Sequence, residues 1–201
     1  LLEKFPIPSI PRGPSIPQDD KSGEFSKGRG VLNHLQIAID GPAASGKTTV
    51  ARLVADRLHV LYLDTGAMYR ALAYLALRTQ TELDNESALV RLCEQHPIRV
   101  VLDRNAPLGF RIFGGAIELV QAQLESPEVT AVVSTIAAHA RLREAMVNEQ
   151  RNIAAEGPVV MAGRDIGTVV LPDAQFKIFL TASVQARVAR RRAQLEAAGV
   201  D

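Results

Sequence analysis

Lys47 and Thr48 close the stretch Gly41-Pro42-Ala43-Ala44-Ser45-Gly46-Lys47-Thr48, which fits the pattern G-x-x-x-x-G-K-[ST]. Two glycines at that spacing allow backbone angles that side chains forbid, so successive N–H groups can turn inward on a phosphate. The N-terminus of a following helix adds its partial positive charge. Lys47 is expected to reach the β- and γ-phosphates of a nucleotide, and the Thr48 hydroxyl to ligate Mg²⁺. Thr49 completes the loop's exit.

Three further polar groups recur at the ends of apolar runs. Val60 to Leu63 runs into Asp64-Thr65-Gly66-Ala67-Met68-Tyr69-Arg70, which places Thr65, Tyr69 and Arg70 at the start of a helix. Val159 to Ala162 runs into Gly163-Arg164-Asp165. Phe176 to Leu180 precedes Ser183, a helix cap, and then Arg187, Arg190, Arg191 and Arg192. Arg187, Arg190 and Arg191 share one helical face at i, i+3 and i+4. An arginine face beside a phosphate loop suits the clamping of a transferred phosphoryl group. Strand C-terminal ends are where open α/β sheets bind ligands.

The elements that must carry these groups are legible as periodicity. Leu35, Ile37, Ala38 and Ile39 form a run ending at Asp40, as in a buried parallel strand. Val50, Leu53, Val54 and Leu58 lie at i, i+3, i+4 and i+8 and predict one buried helical face. Met68, Leu72 and Leu75 predict another, in a helix running to about Arg78. Residues 84 to 95 read as helical. Ile98 to Leu102, Phe110 to Phe113 and Ala116 to Leu119 read as short strands, with Gly114-Gly115 as a two-residue hairpin turn. Ser126-Pro127-Glu128 starts a helix with Val129, Val132, Val133 and Ile136 inward. A further helix is predicted from about Arg141 to Ala155. Alternating strands and helices indicate a doubly wound parallel sheet with a small inserted antiparallel sheet.

Composition narrows the class. The chain has 201 residues, 47% of them hydrophobic, and a formal net charge of +1. That charge makes no bulk electrostatic case for nucleic acid or an acidic membrane. One cysteine, Cys93, forms no internal disulfide and suits a reducing cytoplasm. No apolar run approaches the roughly 18 residues of a membrane span. Residues 1–34 hold Pro6, Pro8, Pro11, Pro14 and Pro17 and then a Gly, Ser and charge-rich stretch. They read as a disordered leader or as a linker from an upstream fused domain. The first residue is leucine, which suggests a fragment or a processed product.

Together these segments resemble bacterial cytidylate kinase, the CMP kinase branch of the nucleoside monophosphate kinases. The resemblance is carried by IAIDGPAASGKTT (37–49), LDTGAMYRA (63–71), STIAAHARLREA (134–145), AGRDIGTVVLPDAQFKIFL (162–180) and RVARRR (187–192). It covers residues 35 to 201. It implies a P-loop kinase domain over 35–201 with an enlarged monophosphate-binding region inserted at 84–120, acting as a monomer in pyrimidine nucleotide metabolism. It implies ATP with Mg²⁺ as donor, CMP or dCMP as acceptor, and CDP or dCDP as product. Gly41, Pro42, Ala43, Ala44, Ser45, Gly46, Lys47, Thr48 and Thr49 match the ATP loop. Thr65, Tyr69 and Arg70 match positions that hold the acceptor nucleotide, Arg70 on its phosphate. Ser134, Arg143 and Asp165 match positions that recognise cytosine, and Arg164 another acceptor phosphate contact. Arg187 and Arg191 match arginines that open a mobile lid.

Two departures stand out. Glu125 occupies a position where the family commonly has arginine. The family also continues past the position of Asp201, through the rest of the lid and a last strand and helix. The expectation is that these 201 residues alone bind nucleotide weakly and transfer phosphate poorly. The rival readings are a P-loop kinase for another small acceptor, such as shikimate, gluconate or a different monophosphate, and a nucleotide-binding module without turnover.

Overall fold

The structure, a computed structural model, describes residues 34–103 and 105–197. The leader over residues 1–33 lies outside the described residues. Four strands form a parallel sheet: β1 (Gln36–Asp40), β2 (Leu61–Asp64), β6 (Val159–Gly163) and β7 (Phe176–Phe179), in the order β2-β6-β1-β7. The intervening β3 to β5 belong to a second sheet. Ile37, Ala38, Ile39 and all of β6 are buried, as expected of apolar runs covered on both faces.

Register positions the functional loops. Asp40 lies opposite Gly163 on one side and Phe179 on the other, and Asp64 lies opposite Ala162. The strands are parallel, so all four C-terminal ends open on one edge. The segments starting at Gly41, Thr65, Arg164 and Leu180 therefore emerge side by side, although they are spread over 140 residues of sequence.

Helix α1 (Lys47–Leu58) follows the phosphate loop and packs on β1, β2 and β6. Its buried centre is Ala51 and Ala55, not the predicted stripe. Val50, Val54 and Leu58 form a half-buried shoulder, and Leu53 is 55% exposed. The helical wheel explains this correction: at ~100° per residue, position 53 points away from the line through 51 and 55. Alanines let the helix axis approach the sheet, which large side chains in the same places would prevent.

Helix α2 (Thr65–Arg78) starts where β2 ends, capped by the Asp64 carboxylate accepting from the Gly66 N–H at 2.9 Å. Met68, Leu72 and Leu75 are buried as predicted. Helix α3 (Glu86–Gln95) buries Leu89 and Leu92. The second sheet is antiparallel, β3 (Ile98–Leu102), β4 (Phe110–Gly114) and β5 (Ile117–Leu119). Its turn is Gly115-Ala116, one residue later than predicted, because Gly114 still pairs with Ile117. Gly114 is a packing glycine: a Cβ there would lie 2.6 Å from Leu75 Cδ1.

Helices α4 (Gln121–Leu124), α5 (Pro127–Ala138) and α6 (Ala140–Ala155) return the chain to the sheet. Ser126 caps α5 by accepting from the Val129 N–H at 3.3 Å. After β6 comes a π-helical turn, Ile166–Val170. Helix α7 (Val184–Ala197) closes the described chain, its first turn capped by Ser183. Strand β7 reads as apolar, yet it is an edge strand exposed along its length, with Phe179 70% exposed. Among the described residues no helix is long and apolar enough to cross a membrane.

Candidate active site

The phosphate loop leaves β1 through Gly41 and enters α1 through Gly46, at φ +152° and +102°. Gly41 has no room for a side chain, since a Cβ would lie 2.0 Å from the Leu180 carbonyl oxygen. Within the loop the Ser45 N–H donates to the Pro42 carbonyl at 3.3 Å. The first N–H groups of α1 have no intrahelical acceptor and form an anion-binding end. Lys47 Nζ donates to the Pro42 carbonyl at 2.8 Å. The ammonium is thus folded back onto its own loop, within reach of a phosphate entering it. Burial lowers the Lys47 pKa, with Arg164 adding to the effect and Asp64 and Asp40 opposing it.

The second wall comes from β2 and α2. Burial pushes the Asp64 carboxyl up from its ordinary value, against the pull of Arg70, the Gly66 N–H, Lys47 and Thr48. Beside Thr48 lies the buried Tyr62 hydroxyl, its phenol pushed up chiefly by burial, with Thr48 opposing the shift. Thr65 follows Asp64 as the first residue of α2. It is 5% exposed and its hydroxyl donates to the Ala162 carbonyl at 3.1 Å, tying α2 to β6.

A carboxyl whose folded pKa is raised favours the fold most at low pH, and that contribution is lost as pH rises through the folded value. Asp64→Asn has no such loss. The stability of Asp64→Asn relative to wild type is therefore expected to rise as pH increases above the ordinary carboxyl range of about 4, in thermal melts without nucleotide. A relative stability that falls as pH increases would mean that Lys47 and Arg70 outweigh the burial.

The third wall is the segment after β6. Asp165 forms an ion pair with Arg143 Nη2 from α6. Tyr69 stands beside this pair: burial raises its pKa, Asp165 raises it further and Arg143 lowers it. Arg164 is exposed at the end of β6 and lies within the electrostatic field of Lys47. From α7, Arg190 Nη1 reaches the phosphate loop and donates to the Ala44 and Ser45 carbonyls at 3.3 and 3.1 Å. Arg187 Nε is buried and has no hydrogen-bond partner among the described residues, and Arg191 is exposed.

Of the predicted residues, two sets come together: Lys47, Thr48, Arg70 and Arg164, and Tyr69, Arg143 and Asp165. Ser134 does not join the second set; it is exposed on α5, and among the described residues no hydrogen bond links it to Arg143 or Asp165. Three residues at the site were missed: Asp40, Asp64 and Arg151. Asp40 and Asp64 carried a readable signal, an acid closing an apolar strand next to a glycine. Arg190 was placed on the arginine face without a partner, and Arg151 had no signal in its neighbourhood.

A strand–loop–helix phosphate cradle, with a half-buried lysine and arginines at the same sheet edge, defines a P-loop phosphotransferase acting on nucleotides. Residues 37–201 match the family model described as Cytidylate kinase, and the chain belongs to that family. It is 47% identical to the cytidylate kinase of Enterococcus faecalis over 170 residues, which are 85% of this chain and 74% of that protein. It is 49% identical to the cytidylate kinase of Geobacillus sp. strain WCH70 over 169 residues, 84% of this chain and 74% of the relative. A Synechococcus protein named bifunctional pantoate ligase/cytidylate kinase is 49% identical over 163 residues, 81% of this chain and 30% of that longer protein.

Proposed function

We propose that this site transfers the γ-phosphoryl group of ATP to CMP and dCMP. The observation that carries the reading is the meeting of two phosphate-binding sets, with Lys47 of the donor loop in the field of Arg164 at the end of β6. A phosphate oxygen of the acceptor attacks the γ-phosphorus, the bond to the β–γ bridging oxygen breaks, and ADP departs with that oxygen's electron pair. An acceptor phosphate is already anionic, so no strong general base is needed. The protein's work is positioning and charge neutralisation. Lys47 leaves the Pro42 carbonyl and spans the donor's β- and γ-phosphates. Arg70 and Arg164 hold the acceptor phosphate in line. Arg187 and Arg191 approach from α7 as the lid arginines.

The Thr48 hydroxyl and the Asp64 carboxylate are hard oxygen donors beside the loop, and they fit Mg²⁺ arriving with the nucleotide. When bound, that ion neutralises charge developing across the β- and γ-phosphates. Among the described residues no cluster of three or more His, Cys, Asp or Glu could hold a metal. This suits an ion that draws its other ligands from phosphates and water.

At the acceptor base, cytosine offers an exocyclic amine and ring acceptors. The Asp165 carboxylate accepts from the amine, Arg143 donates to the ring edge, and the Tyr69 ring lines the pocket. The reading of residues 1–34 as a linker draws support from the Synechococcus relative, whose name pairs a second activity with this one.

The test is an acceptor panel on the natural polypeptide that carries this sequence. With ATP and Mg²⁺, kcat/KM for CMP and dCMP is expected to exceed that for UMP, AMP and shikimate by about tenfold or more. Equal use of UMP, or a preference for shikimate, would assign the site to a different acceptor.

A further inference from the structure

The residues bound to the π-helical turn Ile166–Val170 are charged, come from distant parts of the chain, and sit at its two ends. Asp40, the last residue of β1, is 8% exposed. Its Oδ1 accepts from the Ile166 N–H at 2.7 Å and its Oδ2 from the Gly167 N–H at 2.8 Å. At the other end Arg151, from α6, donates Nε to the Val170 carbonyl at 3.0 Å and Nη2 to the Val169 carbonyl at 2.7 Å. Negative charge thus meets the free N–H groups and positive charge the free carbonyls, the arrangement that a helix dipole favours.

We propose that Asp40 and Arg151 are positioning residues for acceptor recognition, clamping this turn so that Arg164 and Asp165 are held in register with the phosphate loop. Short π-helical turns are rare, and such features cluster at functional sites. Here the turn begins one residue after Asp165, so fixing the Ile166 N–H fixes the peptide that carries Asp165. Gly167 permits the close approach, since a Cβ would lie 3.3 Å from Asp40 Oδ2.

Asp40 also precedes Gly41 directly, and its own carbonyl accepts from the Leu180 N–H at 2.7 Å. One residue therefore registers the donor loop, the Arg164–Asp165 segment and the path into α7. A buried carboxylate is a costly way merely to hold a strand, and a hydrophobic side chain would do so without the desolvation cost. In-line transfer between two phosphates is where such register matters, because small misplacements there cost large factors in rate.

This inference rests on the reading of Asp165 as the group that takes the cytosine amine. Its test therefore compares Asp40→Asn, Arg151→Gln, Arg151→Lys and Asp165→Ala in the natural polypeptide, measuring thermal stability together with kcat and KM for CMP, UMP and ATP. Asn at 40 keeps the size but presents an NH₂ to an N–H donor. Asp40→Asn is expected to raise the KM for CMP by about tenfold and to lower the CMP-over-UMP preference severalfold, with a smaller change in the KM for ATP. Arg151→Gln is expected to show the same pattern more weakly, and Arg151→Lys to restore part of it.

A purely structural role would lower the melting temperature and leave the base preference alone. The clamp is overturned if Asp165→Ala lowers the preference while Asp40→Asn and Arg151→Gln leave it and the KM for CMP within about twofold of wild type. Where Asp40→Asn does not fold, the Arg151 pair decides by the same criterion. Where Asp165→Ala leaves the preference unchanged, the base-reading assignment fails first. The KM for CMP in the clamp variants then decides whether they position Arg164, and a change under about twofold overturns that too.

Discussion

Lys47→Met is expected to lower kcat for CDP formation by about three orders of magnitude while the protein stays folded. Methionine keeps the length of the stem and removes the ammonium. The ammonium rests on the Pro42 carbonyl at 2.8 Å, so the mutation deletes one hydrogen bond but leaves the Gly41 to Gly46 backbone otherwise supported. Stability is expected to change little, because a half-buried charge is removed together with its bond. The rate falls because charge moves onto the β–γ bridging oxygen in the transition state, which on the proposed reading Lys47 neutralises after leaving the Pro42 carbonyl. Burial lowers the Lys47 pKa, so kcat/KM, which reports the free enzyme, should begin its alkaline decline at a lower pH than an ordinary lysine would impose. A folded variant with near-normal kcat would remove the phosphate loop from the mechanism.

Asp165→Ala is expected to reduce kcat/KM for CMP by about 10- to 100-fold, the range for losing one hydrogen bond to a charged group. The loss for UMP should be far smaller, because uracil has a carbonyl where cytosine has the amine. Arg143 sharpens the contrast. Its guanidinium is ion-paired with Asp165, and removing the carboxylate frees a donor for the uracil carbonyl. The CMP-over-UMP ratio should therefore collapse from both sides. Measuring both acceptors with the same ATP concentration checks this. Parallel losses for CMP and UMP would mean that Asp165 holds the site together without reading the base.

Much of this site was legible because its signals are local. The glycine spacing around Lys47, the Asp64-Thr65-Gly66 step after β2, the Gly163-Arg164-Asp165 step after β6, and the unbroken apolar runs each describe fewer than ten consecutive residues. Parallel-strand physics then brings their C-terminal ends to one edge. What escaped was side-chain geometry between distant segments. Arg143 and Asp165 were each tied to cytosine, yet nothing in either neighbourhood says that they pair with each other. Asp40 looked like the end of a strand, and only the register of β1 against β6 brings it to the Ile166 and Gly167 N–H groups.

The packing errors have a common cause. Weighing large apolar side chains put Leu53 inside α1, whereas the helix sits on Ala51 and Ala55, residues that such weighing discounts. Reading Gly114-Gly115 as a turn assumed that both glycines serve backbone freedom. Gly115 does, at φ +62°, while Gly114 makes room for Leu75. Strand β7 is apolar enough to predict burial, and whether an apolar strand is covered depends on what else packs beside it, which its own residues do not encode.

The most direct test of the central claim is product stoichiometry. The natural polypeptide carrying this sequence is incubated with ATP, Mg²⁺ and CMP, and ADP and CDP are separated and counted over time. The account predicts that ADP and CDP form in equal amounts and that ADP formation nearly stops when CMP is omitted. ADP accumulating without CDP, at a rate indifferent to CMP, would contradict it, because the two phosphate-binding sets at this sheet edge would then not be handing a phosphoryl group from one nucleotide to the other.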